Sequence, residues 1–398
     1  MKTYPQFFLL MFLFSILLIN CKNSNSKSIS ATQSIKNYDL KELSERTTIK
    51  LSDLGTIEIQ YIPLETSEQS IIPGVEKIIC SKNYFLVQYY TNIKMFRYDG
   101  TFVKNIGIKG RGPNEFTVVH CIDINPESET IYLIDGWQQK FFVYSNKGDF
   151  IRSFKYPIRA AVNFKFTEDG ILCYNQNHMG DMSTSFILID TTGRILKKYR
   201  NKYLWTRTIP TFAFAYENIF YKNGTSIIKK EIYNDTLYAY VNKNFIPYSV
   251  IQIDENLRIT PKVRSESEGT FIIENFINPW NLFEFGDYIF YEFSLPTNGK
   301  VERLFFIGSK TSNLRALFNA KDFINDIDGG PNIWPVTLIN DGTIVSWIDA
   351  IDLKKFISSE TFKNNIPKYP KKKKELEILA ESLKDTDNPV LTLIKFSK

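Results

Sequence analysis

Apolar and β-branched residues recur along this chain in short runs, each broken by a polar turn that carries glycine. The pattern is plainest at Lys94–Val103, where bulky residues lead into Asp99-Gly100 and out again through Phe102 and Val103. It returns at Phe141–Ile151 and at Phe186–Leu196. The turn glycines stand at positions 100, 148 and 193, so successive copies are 48 and 45 residues apart. Strand formers on both sides of a residue that can take positive φ predict hairpins. A unit of about 40–50 residues holding four short strands predicts an all-β ring of four-stranded antiparallel sheets, a β-propeller.

Taken in order, the runs give six such units. Blade one covers Val75–Ile106 and blade two Thr117–Phe154; blade three covers Ala161–Tyr199, with Glu168-Asp169-Gly170 as its first turn. Blade four is less regular: Phe212–Tyr216, then Ile219–Tyr221 or Ser226–Lys229, then Thr236–Val241 and Phe245–Ile251. Asp254–Gly269 lacks any period and reads as a long loop. Blade five is expected at Phe271–Phe276, Tyr288–Phe293, Val301–Ile307 and Leu314–Phe318, and blade six begins with Val336–Ile339 and Thr343–Trp347. Thr56–Glu65 alternates like a strand but precedes the first full blade. Its expected role is to complete the last blade, because a ring left open would expose unpaired amides. Two short helices are expected over Asp352–Phe362 and Lys371–Lys384, followed by a last strand near Val390–Phe396.

The N-terminus is of another kind. Lys2 precedes an apolar run from Phe7 to Ile19, too short to span a bilayer comfortably, which fits a signal peptide over residues 1–21. Its end, Leu18-Ile19-Asn20-Cys21, resembles a bacterial lipobox, with Asn20 where a small residue is usual. That resemblance implies lipidation at Cys21 and a lipid bilayer as partner; the other reading is an ordinary cleaved signal with an incidental cysteine. Residues 22–50 are then expected to be a tether, polar at its start, and residues 51–398 the propeller.

Composition adds little chemistry but excludes some. Aromatic residues make up 15% of the chain, which suits rings packing across sheets. The net charge of +6 includes a lysine run at 371–374, and no basic stripe interleaves with the aromatics, so no nucleic-acid partner is expected. Cys80, Cys121 and Cys173 lie far apart in apolar runs and show no metal-ligand spacing; they read as small buried hydrophobes, with a single disulfide left open. The only histidines, His120 and His178, share no ligand spacing, and Asn325–Gly330 lacks the offsets of a calcium loop. No metal site, cofactor or nucleophile elbow is expected.

Four stretches carry a resemblance to a family: Ile62–Ser67, the glycine-rich Gly107–Phe116, Asn234–Tyr238 and Asp387–Leu391. Together they resemble the six-bladed β-propeller lipoproteins of Bacteroides-type bacteria, relatives of NHL-repeat propellers. Asn114 departs from the glycine common in that family's loop. The resemblance implies the fold and an exported, lipid-anchored address in the cell envelope, on the outer membrane or cell surface or on the periplasmic side. It implies no reaction.

Any ligand site should lie where loops converge on one face of the ring. The link between blades and the middle hairpin of a blade open on the same face. The candidates there are Arg111, Glu115, Asp135, Trp137, Gln138, Tyr90, Asn92 and His178. An arginine can grip a carboxylate or phosphate bidentately, and an exposed aromatic ring can stack on a sugar or base. The competing expectation is that Arg111 and Glu115 pair and merely fix their loop; His120 is expected to be a hydrogen-bonded core residue. Two functions follow. One is a non-catalytic binding module for a carbohydrate, peptide or partner protein. The alternative is a calcium-dependent hydrolase or lyase with an ion in the channel.

Overall fold

A computed structural model describes residues 35–41, 45–157, 161–209, 216–297, 299–340 and 342–397. Six antiparallel four-stranded sheets form the ring. Blade one is built from Lys77–Cys80, Tyr84–Tyr89, Asn92–Arg97 and Phe102–Asn105, from the inner strand outward. Blade two runs from Cys121–Ile124 to Phe150–Lys155, blade three from Ala161–Thr167 to Ile195–Arg200, blade four from Asn218–Asn223 to Asn244–Gln252 and blade five from Asn278–Phe285 to Arg315–Phe318.

Blade six closes the ring as expected. Thr337–Asn340, Thr343–Ile348 and Val390–Phe396 are joined by Thr56–Pro63 as the outermost strand. That strand pairs antiparallel with the chain's last one, Ile62 opposite Leu391 and Ile59 opposite Ile394.

The middle strands are buried on both faces, because each sheet packs between two others. Along Tyr84–Tyr89, Leu86 packs with Ile122, Leu133 and Phe142 of blade two, whereas Phe85 and Val87 pack with Val345 and Leu391 of blade six. Side chains alternate across a strand, so one apolar run serves two interfaces. The core is accordingly a ring of inter-blade clusters.

The repeated glycine has a second role besides its turn. Gly100, with φ 88°, packs against the Pro63 carbonyl at the end of the preceding blade's outer strand. Gly148 meets Lys104 and Ile106 in the same way, and Gly193 meets Lys155 and Phe154. The three copies of the turn are thus also three contacts between neighbouring blades.

Several expectations are corrected. Phe271–Phe276 is not the inner strand of blade five; Gly269–Asn275 is a helix, and the strand begins at Asn278. Asn278 decides the break: its side-chain amide donates to the carbonyls of Phe276 (2.8 Å) and Ile273 (3.4 Å), satisfying the helix end. The expected loop Asp254–Gly269 contains a helix over Pro261–Glu266, capped by the Thr260 hydroxyl. The inner strand of blade two starts at Cys121 and not at Thr117. In blade four Ile219–Tyr221 and Ser226–Lys229 both lie in strands, the inner and second ones; positions 212–215 lie outside the described residues.

Part of the stretch expected to be tether, up to residue 50, is folded onto the ring. Lys36–Asp39 adds a parallel fifth strand to blade four, and Ile49–Lys50 pairs with Phe323–Ile324 beyond blade five. The signal peptide, Cys21 and residues 22–34 lie outside the described residues. Cys80, Cys121 and Cys173 are free thiols. Among the described residues no helix is long and apolar enough to cross a membrane.

Candidate functional site: the loop-rich face

Strand order puts the inter-blade links and the middle hairpins on one face, and the tight outer hairpins on the other. The long segments all belong to the first face. The link from blade four to blade five carries α1 (Pro261–Glu266) and α2 (Gly269–Asn275). The middle hairpin of blade six carries α3 (Ala350–Ile357), α4 (Glu360–Asn364) and α5 (Pro370–Ser382).

Asp135 ends the second strand of blade two and is fully buried. Its Oδ1 accepts the amides of Trp137 (3.0 Å) and Gln138 (3.1 Å), the local turn that aspartate favours. Its Oδ2 accepts the Thr117 amide and hydroxyl, both at 2.7 Å, and Gln138 Nε2 at 3.1 Å. Burial pushes its pKa up, but the hydrogen bonds, led by the Thr117 hydroxyl, outweigh burial and hold the carboxyl below its usual value. This carboxylate is committed to joining a hairpin to the neighbouring link. Asp135→Ala is expected to cost about 3 kcal/mol, the loss of more than one charge-assisted hydrogen bond, read from the urea midpoint. Because its folded pKa is depressed, the contribution is complete above about pH 4 and fades as the pH falls through the folded-state value. The gap between variant and wild type should therefore close in acid.

Glu115 is committed as well. Its Oε2 accepts the Gly112 amide at 2.8 Å, and its carboxylate occupies the space that a side chain at Gly110 would need. Gln138 Nε2 donates to the Glu115 carbonyl at 3.0 Å, tying loop to hairpin. The Arg111–Glu115 ion pair is not formed, and Arg111 is exposed. His120 Nδ1 accepts the Gly136 amide at 3.1 Å, and its ring meets Trp137 edge-on at 6.2 Å. Burial lowers its pKa against the pull of Asp135. The chemistry left open on blades one and two is Arg111 with the exposed Trp137, Tyr90 and Asn92.

His178 stands apart, in the middle hairpin of blade three. Burial, then the charges of Arg207 and Arg264, lower its pKa. Beneath it lies Glu217, 1% exposed, which accepts from Tyr174 (3.0 Å), Tyr233 (2.5 Å) and the Asn177 amide (3.0 Å). Arg264 from α1, itself fully buried, stands 3.9 Å from Glu217 and 5.0 Å from the centre of the Trp205 ring. This group pins the long link onto blades three and four.

A third group was missed from the sequence. The Arg303 guanidinium of blade five lies beside two indoles, 4.2 Å from the Trp280 ring centre and 5.0 Å from that of Trp334. Arg303 Nε donates to Glu292 at 2.6 Å. Burial raises the Glu292 pKa against the pull of Arg303 and of the Trp334 side chain. Tyr216, just ahead of blade four, completes the group with its ring 5.5 Å from Trp280. Trp280, Trp334 and Tyr216 are 37%, 38% and 42% exposed, so aromatic surface and a cation reach solvent together. No motif announces this: the residues come from three strands of blade five, the link ahead of blade four and the link after blade five. Among the described residues, no group of three or more His, Cys, Asp or Glu side chains is placed to hold a metal ion.

The fold and this face define a six-bladed β-propeller with one elaborated surface. The chain belongs to the family described as Domain of unknown function (DUF4934), whose profile matches residues 35–395. Its fold is similar to that of a Bacteroides fragilis protein whose description is that of an exported protein. There the TM-score is 0.71 and the identity 18%, over 92% of this chain and 100% of that one. It is also similar to a member of the DUF4221 family from Bacteroides vulgatus, with a TM-score of 0.51 and 12% identity over 86% of this chain and 97% of that one. No curated protein matches the chain.

Proposed function

We propose that this chain is a non-catalytic binding module of the cell envelope that holds a carbohydrate on its loop-rich face. The observation that carries the reading is the meeting of three half-exposed aromatic rings around Arg303. Flat apolar rings beside a few fixed polar groups are the usual make-up of a site for a small polar ligand. A sugar offers such a site one apolar face for stacking and hydroxyls at its edge. The envelope address rests on the apolar leader, the lipobox-like end at Cys21 and the exported description of the Bacteroides fragilis protein. No observation favours the calcium-dependent hydrolase or lyase.

The test is a glycan array probed with purified residues 35–398, followed by titration calorimetry on the hits. Trp280→Ala is expected to weaken binding at least tenfold, about 1.4 kcal/mol, without moving the melting temperature by more than a few degrees. An array without a hit, or hits indifferent to Trp280→Ala, would overturn the proposal.

A further inference from the structure

The group around Arg303 does more than present rings. Its guanidinium cannot swing freely, because two indoles lie within 5.0 Å of it and its Nε is held by Glu292. The neighbours are fixed in turn. Trp280 Nε1 donates to Ser294 Oγ at 3.2 Å, and Trp334 stands edge-on to Phe305 at 5.1 Å. Glu292 is 3% exposed along its side chain and Arg303 40%. The carboxylate that orients the arginine is therefore out of reach of a ligand, while among the described residues nothing accepts from the far edge of the half-exposed guanidinium, its two Nη groups.

An arginine held by one edge and presented by the other is prepared for a planar, bidentate anion. A carboxylate matches that fork. A pyranose carrying its carboxylate on the ring would set the charge on Arg303 while its apolar face lay on the part of the neighbouring rings that the guanidinium leaves uncovered. We infer that the Trp280–Arg303–Trp334 site recognises an acidic sugar, a uronate residue with a free carboxylate. This inference rests on the carbohydrate reading above and narrows it.

The experiment compares oligogalacturonides with their methyl esters, which keep the sugar and remove the charge. Titration of residues 35–398 with each is expected to show the acid bound at least tenfold more tightly than the ester. Arg303→Lys keeps a cation beside Glu292 but has no fork, and it should reduce that preference to less than threefold. Trp280→Ala should weaken acid and ester alike. Equal affinity for acid and ester would overturn the inference and leave the carbohydrate reading intact. So would an unchanged preference in Arg303→Lys, or failure to bind either probe by a protein that binds other glycans. A protein that binds no glycan at all removes the reading beneath it.

Discussion

Glu217→Ala is expected to destabilise the protein by about 3–5 kcal/mol, the cost of removing one partner of a buried ion pair. Glu217 is the common acceptor for two tyrosines and one amide, and the anionic partner of Arg264. Removing it takes from the buried Arg264 the carboxylate beside it and leaves the Tyr174 and Tyr233 hydroxyls without their acceptor. A loss of that size is a large part of the 5–15 kcal/mol that usually separates folded from unfolded states. Arg264→Met, which removes the charge but keeps the bulk, should cost less. The double variant should recover part of the loss, giving a coupling of about 1–3 kcal/mol. Urea unfolding of the four proteins measures it. Strict additivity would show that the pair does not hold α1 onto the ring.

The second large effect concerns closure. A chain begun at Leu64 lacks Thr56–Pro63 and is expected to lose cooperative folding. The strand contributes a full ladder of hydrogen bonds to Val390–Phe396 and buries Ile59 and Ile62. Each buried side chain is worth about 1.5–3 kcal/mol, and each ladder bond about 1 kcal/mol net. Their sum approaches the whole stability of an ordinary domain. What remains has an open edge at Val390–Phe396, which invites pairing with another molecule. Gel filtration and near-ultraviolet circular dichroism should show aggregated or loosely packed material. A chain begun at Leu51 drops the fifth strand on blade four and the small Ile49–Lys50 pairing but keeps closure. It should fold, with a lower melting temperature. If the chain begun at Leu64 melted as sharply as the chain begun at Leu51, closure by the N-terminal strand would not be what seals the ring.

Some of the site was readable and some was not, for identifiable reasons. Asp135-Gly136-Trp137-Gln138 announces a turn, and Asp135 does accept the amides two and three residues on. What the local sequence could not say is that its second oxygen is taken by Thr117, from another part of the chain. The aspartate thus looked like a ligand group and is a brace. Glu115 followed the same course: it turned to Gly112, because a loop with two small residues leaves room for a carboxylate to fold inward. Thr260-Pro261 is a helix-start signal that the absence of a longer period obscured. Phe271–Phe276 was apolar enough for a strand, and its helical state depends on carbonyl partners from Asn278.

The sequence by itself determined the blade, the ring and the order of its strands. Hairpins are local: bulky residues, a glycine able to take positive φ, then bulky residues again lie within about ten positions, and repetition makes one legible copy confirm the next. Only the tertiary structure decided which polar side chains are spent and which remain open. Arg303, Trp280, Trp334, Glu292 and Tyr216 meet because sheet packing brings strand ends and two links to one point. Contacts between residues so far apart leave no spacing along the chain from which they could be foreseen.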